Sequence, residues 1–520
     1  MHRLARVSTI GLVGAAMMLT GCPDGPVFSP TQAGSGAFFA YVRNDQQYKT
    51  WLCIFNQSKY WTPAEIEYAD EQGNVVANEP LLLQPFQSYR VSKPGFTGSV
   101  LVRGTGEPHA IQATIEIHDT TTSALALAQP GGNDYVWYFH LGAEDEGPGQ
   151  VRSTIVTTNL DFHDPVYAEY GLLRPYACAA SFEVEIAPRG MHAFRPYDEF
   201  ADIAADELSS AFLYVGGNDA PDSSGAQVRS LRGATFVEAD GDIALANVPV
   251  VNRGWWSMGG TNYDQASHLY FADVQDNGAS RQDRIYIKSN LATTYPHPTS
   301  AYNIHFYDES GVEILTPHPP LSLVDMFDDV DSCAVLKPME DFTGTPFKGS
   351  VWVESPHEWL DGLVRRRSPG KWTDMSNAAP AGSMLEGIIP FVSSKLPDRH
   401  YQIVLFYPIN IHPVPQQLET PPPAMTLLTF TPPTQPKPVA KDGVVVLTLR
   451  DTGGSLKGYL SVDVAANQTK YVRVDDIASK YLEEPFEGSI QFDPHVVVTL
   501  QIWNDAETCH GSTGVWDGVQ

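Results

Sequence analysis

Near the C-terminus the chain reads Phe486-Glu-Gly-Ser-Ile-Gln-Phe-Asp-Pro-His495, which sets a carboxylate, a proline and a histidine side by side. That adjacency invites a catalytic reading, but the phrase is not unique. It recurs as "FTGSVLVRGTGEPHAI" from Phe96 and "FKGSVWVESPHEWL" from Phe347, and more loosely as "LRGATFVEADGDIAL" from Leu231. Each copy has a glycine, a small residue and then alternating apolar positions, the pattern of a strand entered through a tight turn, with Gly488 making the turn in the last copy. Repetition at this spacing decides architecture before any residue is read for function.

Two further phrases repeat around it. An aromatic strand, a polar loop and a second strand that often closes on asparagine run from Phe38, Tyr138, Tyr270 and, more loosely, Pro390. Between these starts and the glycine phrase lie "IEYADEQGNVV" from Ile66, "IHFYDESGVEI" from Ile304 and "LTLRDTGGSL" from Leu447. This is hairpin chemistry, in which Asp accepts a local hydrogen bond and Gly supplies positive φ. The second unit departs from it, and "FEVEIAPRGMHAF" from Phe182 is its nearest strand pair.

Each unit therefore spans about 100 to 130 residues and around seven short strands, which predicts an all-β chain of four tandem antiparallel β-sandwiches in a row. The expected boundaries are 37–133, 134–264, 265–384 and 385–508, with a tail over 509–520. The fourth unit carries a proline-rich insertion, 412–439, whose composition favours extended stretches around one strand, "MTLLTF". Short helical turns are expected over 475–482, 198–208 and 323–330. A content of 42 Gly and 40 Pro agrees with a turn-rich, strand-rich class. The combined pattern resembles the tandem immunoglobulin-like repeats of bacterial secreted proteins and lipoproteins, and the resemblance covers nearly the whole chain after its leader. Because the shared residues are turn and core residues, it implies a fold rather than an activity.

The N-terminus reads as a signal peptide over 1–21: Arg3 and Arg6, an apolar stretch from Val7 to Met18, then Leu19-Thr20-Gly21-Cys22. "LTGC" resembles the lipobox of bacterial lipoproteins. The resemblance implies that Cys22 carries the lipid anchor, diacylglycerol with an added palmitate-like chain, and that 22–36 is a tether. Pro23 rather than Asp after the cysteine implies, by the same family's sorting rule, the outer membrane. The formal charge of −28 becomes −30 once the two arginines are cleaved off, and such a body repels nucleic acid and anionic headgroups. Membrane attachment then rests on the lipid. Arg365-Arg366-Arg367 is the one basic cluster that stands out, and a solvated turn is its expected setting.

No reactive constellation emerges from the motifs. "PHEWLD" from Pro356 holds half of an HExxH motif, and there is no GxSxG, Walker loop or GxGxxG after a strand. His109, His357 and His495 follow proline at equivalent places in separate units, so they do not form one metal site. Calcium is the metal candidate, at Asp325, Asp328, Asp329 and Asp331, with further acidic loops at Glu144–Glu146 and Glu238–Asp242. Cys53, Cys178, Cys333 and Cys509 have no CxxC spacing; the first two are expected as buried thiols, and oxidation of the other two stays open. Trp255 and Trp256, with Trp61, Trp359 and Trp372, are candidates for ligand contact or for packing between units.

These readings together predict a non-catalytic, lipid-anchored protein of the cell envelope, serving as a scaffold, spacer or adhesive surface. The alternative is a receptor lipoprotein for a carbohydrate or protein, with a hydrolase third. Expected partners are the membrane, through the lipid, and an envelope protein or polysaccharide.

Overall fold

A computed structural model of the chain describes residues 36–515, apart from 105–109, 119–122, 128–135, 141–150, 162, 175–176, 201–211, 219–230, 240–241, 248–267, 290–302, 315–332, 355–359, 369–370, 378, 381–386, 398, 409–427, 440–442, 493–495 and 504–508. The first segment forms β1 (Gly36–Asn44), β2 (Lys49–Asn56), β3 (Thr62–Ala69), β4 (Val75–Leu83), β5 (Ser88–Val91), β6 (Phe96–Gly104), β7 (Ile111–His118) and β8 (Ser123–Leu127). The second forms β9 (Val136–His140), β10 (Val151–Asn159), β11 (Val166–Arg174), β12 (Ala177–Ile186), β13 (Met191–Phe194), β14 (Phe212–Asn218), β15 (Leu231–Ala239) and β16 (Asp242–Asn247). The third forms β17 (His268–Asp276), β18 (Arg284–Ser289), β19 (Asn303–Asp308), β20 (Cys333–Leu336), β21 (Phe347–Glu354), β22 (Leu360–Ser368), β23 (Lys371–Asn377) and β24 (Ala379–Pro380). The fourth forms β25 (Gly387–Ser393), β26 (His400–Phe406), β27 (Leu428–Thr431), β28 (Val444–Asp451), β29 (Leu456–Asp463), β30 (Thr469–Arg473), β31 (Glu487–Phe492), β32 (Val497–Trp503) and β33 (Cys509–Val515).

The chain is all-β and antiparallel, and one strand order occurs four times. In the first segment the two sheets run β1-β6-β3-β4 and β5-β2-β7-β8. The second repeats this as β9-β14-β11-β12 and β13-β10-β15-β16, and the fourth as β25-β31-β28-β29 and β30-β26-β32-β33. There β27, from the proline-rich insertion, adds an edge strand beside β29. The third follows the same order through β17-β21-β19 and β20-β18-β22-β23, with β24 on the free side of β17. Between paired sheets the alternate apolar residues meet: Ile54, Ile66, Val102 and Ile117 in the first segment, Ile285, Ile287, Phe306 and Val351 in the third, and Ile403, Leu405, Leu447 and Ile490 in the fourth are fully buried.

This order corrects one alignment made from sequence. The strand from Leu231, β15, pairs with β10 and so matches β7, not β6. The true counterpart of β6 is β14, whose Gly216-Gly217 lie at its far end, so it lacks the opening signature. The glycine's role is also different from the one expected. Gly98, Gly349 and Gly488 lie inside β6, β21 and β31, opposite Val42, Val274 and Val392, just past a bulge in each segment's first strand. A Cβ there would stand 2.1 Å from Ala69 O, 1.9 Å from Tyr307 O and 1.9 Å from Arg450 O. Each of these carbonyls immediately precedes a hairpin acid, so the glycine phrase and the hairpin phrase are in direct contact.

The hairpins themselves are built alike. Asp70 Oδ1 accepts the N–H groups of Gln72 and Asn74, Asp308 Oδ1 those of Ser310 and Val312, and Asp451 Oδ1 that of Ser455, all at 2.8–3.0 Å. Gly73, Gly311 and Gly454 each donate to the acid's own carbonyl at 2.9 Å, with φ of +86°, +87° and +86°. Those glycines press against the next segment. A Cβ on Gly73 would meet Pro188 O, on Gly311 Ala466 O, and on Gly454 Pro85 O, at 2.2, 2.6 and 2.3 Å. Main-chain bonds cross two of the same seams, from Met191 N to Glu71 O and from Ser88 N to Thr452 O.

The first segment thus abuts the second, the third abuts the fourth, and the fourth abuts the first; β16 lies beside β23, which joins the second to the third. The expected open row is therefore replaced by a closed circuit. A contact repeated head to tail with a constant rotation closes a ring when that rotation divides the circle. The edge strand β8 and its counterparts β16, β23 and β33 follow the same circuit, with β8 and β23 each beside both β16 and β33.

Asparagine at the end of the second strand also has its reason. Asn56 Nδ2 donates to the carbonyls of Tyr60, Leu83 and Gln84, and Asn159 Nδ2 to those of Asp164, Ile186 and Ala187, so one buried amide ties two loops.

The steric account makes a prediction. Gly488→Ala should cost about 3 kcal/mol or more, because backbone must move to admit the methyl. Gly344→Ala, at φ +62° with nothing within 4 Å, should cost only the left-handed penalty of about 1–2 kcal/mol. Calorimetric melting of the two variants separates these cases, and equal losses would contradict the close-approach argument.

Candidate functional site

The strongest electrostatic features lie in the seams between segments. A bulge in the first strand of three segments, β1, β17 and β25, sets them up, because its second residue, Tyr41, Asp273 or Phe391, is turned toward the neighbouring segment. Side chains from the neighbour also reach the bulge backbone, as Thr158 Oγ1 donates to Ala40 O at 3.1 Å and Thr469 Oγ1 to Ala272 O at 3.4 Å. Facing these residues is one recurring position on the neighbour's counterpart of β7. It is Phe236 in β15, Gln501 in β32 and Glu116 in β7, while Arg365 holds the same place in β22.

Each seam uses that position differently. Between the first and second segments, Phe236 packs on Tyr41 and Tyr48 with ring centroids 5.3 and 5.7 Å away. Burial pushes the Tyr41 hydroxyl up to about 12. Glu238 beside it accepts from Arg43 Nη1 at 3.3 Å and from the Tyr48 hydroxyl, so it is a seam ligand rather than part of a solvated calcium loop.

Between the third and fourth segments, Asp273 is buried and fully engaged. Its Oδ1 accepts the Tyr471 hydroxyl at 2.9 Å, and its Oδ2 accepts Arg281 Nη2 at 2.9 Å and Gln501 Nε2 at 2.6 Å. Burial alone would raise this carboxyl; the charges of Arg281 and Arg366 outweigh it and hold the group well below the usual carboxylate range. Arg281 also grips Asp283 through Nε and Nη2, although there burial prevails and the carboxyl is pushed up. Arg366 Nη2 donates to Asp273 O at 3.1 Å. Arg365 and Arg366 are thus buried, not on a solvated turn. Sequence alone does not show that β22 packs beside β17, whose Asp273 lies 93 positions away and engages Arg366.

Between the fourth and first segments, Glu116 Oε2 accepts Arg90 Nη2 at 2.7 Å and lies 3.2 Å from His118 Nε2, while its Oε1 accepts the Tyr401 hydroxyl at 2.9 Å. Burial would raise Glu116, but the His118 hydrogen bond and the Arg90 charge overcome it and bring the carboxyl to about 2. Burial pushes the His118 imidazole down, against the pull of the neighbouring Glu116. Arg90 also lies over the rings of Trp51 and Phe391, 4.3 and 4.8 Å from their centroids. Cys53 is a free, buried thiol in the same seam, raised well above its usual value by burial. Such an arrangement can neutralise and position charge, and the groups that take part are spent on one another.

Cys22, Trp255, Trp256, Asp325, Asp328, Asp329 and Asp331 lie outside the described residues, as do His109, His357, His495 and Trp359. Cys178 falls in β12, Cys333 and Cys509 begin β20 and β33, and Trp372 falls in β23. Trp61 is described and stands in solvent beside Tyr60, at 55% and 56% exposure. Among the described residues no three His, Cys, Asp or Glu side chains converge as a metal site, and no helix is long and apolar enough to cross a membrane. No protein-family model matches the chain, and no curated protein matches it.

The seam at Glu116 predicts a pH dependence. A carboxyl depressed to about 2 from an unfolded value near 4.5 adds stability that is complete above about pH 4.5 and is lost as pH falls toward about 2. The contribution is about 3 kcal/mol. The melting-temperature gap between the wild type and Glu116→Gln should therefore be wide at pH 7 and shrink steadily between pH 4.5 and 2. A gap that does not change with pH would contradict the assignment.

Proposed function

We propose that this chain is a non-catalytic, lipid-anchored protein of the cell envelope, built from four immunoglobulin-like sandwich domains over 37–133, 134–264, 265–384 and 385–508, which presents a scaffold or partner-binding surface. The observation that carries this reading is how the reactive groups are used. Glu116 and Asp273, the acids most strongly displaced from their usual range, are covered by a neighbouring segment and matched to arginine, tyrosine and glutamine. Large apolar side chains, in contrast, face solvent at Tyr60, Trp61 and Leu82. A rigid closed body with variable loops suits recognition, since loops can change while the seams hold.

A receptor for polysaccharide or an envelope protein is the second reading, favoured by the same exposed aromatic rings, which suit sugar faces and protein contacts alike. Anchoring through acylated Cys22, with the outer membrane as destination, belongs to both. Calcium at Asp325, Asp328, Asp329 and Asp331 remains a proposal about residues outside the described part of the chain.

The anchor is tested by Cys22→Ser in cells fed labelled palmitate. The wild type should carry the label and sediment with membranes, and the variant should lose both. A variant that is still labelled and membrane-bound would sink the anchor. Affinity capture with the intact protein, repeated with Trp255→Ala/Trp256→Ala, tests the loop-borne partner surface: captured material that is unchanged by the substitution excludes those two rings as contacts.

A further inference from the structure

The first segment carries an apolar face that is exposed among the described residues, and its position relative to the chain entry gives it a use. Tyr60, Trp61 and Leu82 are exposed at 56%, 55% and 60%, and Pro63 and Pro80 are exposed beside them. Register makes them one patch. Pro63 pairs with Leu82 and Glu65 with Pro80 across the β3–β4 ladder, and Trp61 precedes Pro63 by two residues. Lys59 Nζ lies 5.2 Å from the Tyr60 ring centroid, which puts a cation at the rim. The acids on these strands nearest the patch, Glu65 and Glu79, are both partly buried, and Glu79 is paired with Lys93 at 2.8 Å.

The same rim receives the chain from the proposed anchor. Gly36, the first residue of β1, pairs with Arg103 of β6, and Arg103 pairs with Glu65 of β3. Strand spacing of about 4.8 Å puts the start of β1 about 10 Å from Glu65, in the row next to the patch. Gly36 follows Cys22 by 14 positions, a length that spans about 50 Å fully extended and about 20 Å on average if flexible. A body held so close to a bilayer meets it at high effective concentration. With a formal charge of −30 once the leader's two arginines are gone, most of its surface is repelled by anionic headgroups. A spot of Tyr, Trp, Leu and Pro with a lysine at its edge is the kind of surface that enters the interfacial layer.

We infer that the face formed by Tyr60, Trp61, Pro63 and Leu82 seats on the lipid bilayer to which the chain is tethered and so fixes how the body stands on the membrane. This rests on the lipid-anchor reading, and it supplies the second contact that makes a single-point tether an oriented one. The opposite segment then faces away from the membrane.

The test uses the acylated full chain in vesicles of phosphatidylethanolamine and phosphatidylglycerol, with benzoylphenylalanine in place of Trp61 or, separately, of Val312, which is 60% exposed in the third segment. Illumination should cross-link lipid at position 61 with at least ten times the yield at position 312. Trp61→Glu/Leu82→Glu, with the probe in place of Tyr60, should lower that site's lipid yield several-fold while labelled palmitate stays on Cys22. Equal yields at 61 and 312 in palmitate-labelled protein, or cross-linking at 61 to polysaccharide or protein when whole envelopes are used, would overturn the patch and leave the anchor intact. Protein that is unlabelled and does not sediment with vesicles would sink the anchor reading and this inference together.

Discussion

Everything in this structure depends on a carbonyl packed against a glycine that has no Cβ. In three segments the residue before the hairpin acid lays its oxygen where a methyl would otherwise be, at Gly98, Gly349 and Gly488. That approach fixes the hairpin against its own sheet. The hairpin tip then carries a second glycine in the left-handed region, at Gly73, Gly311 and Gly454, which lets the next segment's turn close in. The receiving turns hold Arg189, Asn467 and Phe86 in the same left-handed region, a conformation that costs energy for side chains and persists where contacts enforce it. Two glycines per segment therefore link intrasegment packing to the assembly of segments.

The seams divide labour between geometry and identity. Glycine contacts are alike in the three seams where they are described, so they specify the angle. The recurring position on β7 and its counterparts differs in every segment, as Phe236, Arg365, Gln501 and Glu116, so it specifies which segment fits which neighbour. A phenylalanine against two tyrosines does not substitute for a glutamate between arginine and tyrosine, since either swap buries an unmatched charge. Repeated units that could pair in several orders are in this way given one order.

Much of this was legible in sequence, and the rest was hidden for definite reasons. The Asp-to-Gly hairpins announce themselves because both residues act locally, within four positions. Repetition of the glycine phrase was also visible, but its cause was not, since the clashing carbonyl comes from another strand. Loss of that phrase from β14 led to the mistaken match with β15. Arg365 and Arg366 read as surface residues because the partner of Arg366, Asp273, lies 93 positions away in β17, on another strand of the same segment. Trp61 could be seen near a turn, while its place beside the entry of β1 emerges only from the ladder registers that join β1, β6 and β3.

Closure of the chain on itself is the central claim, and the shape of the protein in solution tests it most directly. Small-angle X-ray scattering of the protein should give a radius of gyration of about 25 Å, that of a compact body of this length, with a pair-distance distribution having one main maximum. Four sandwiches strung end to end would give about 40 Å or more and a long tail at large distances, and that result would contradict the account.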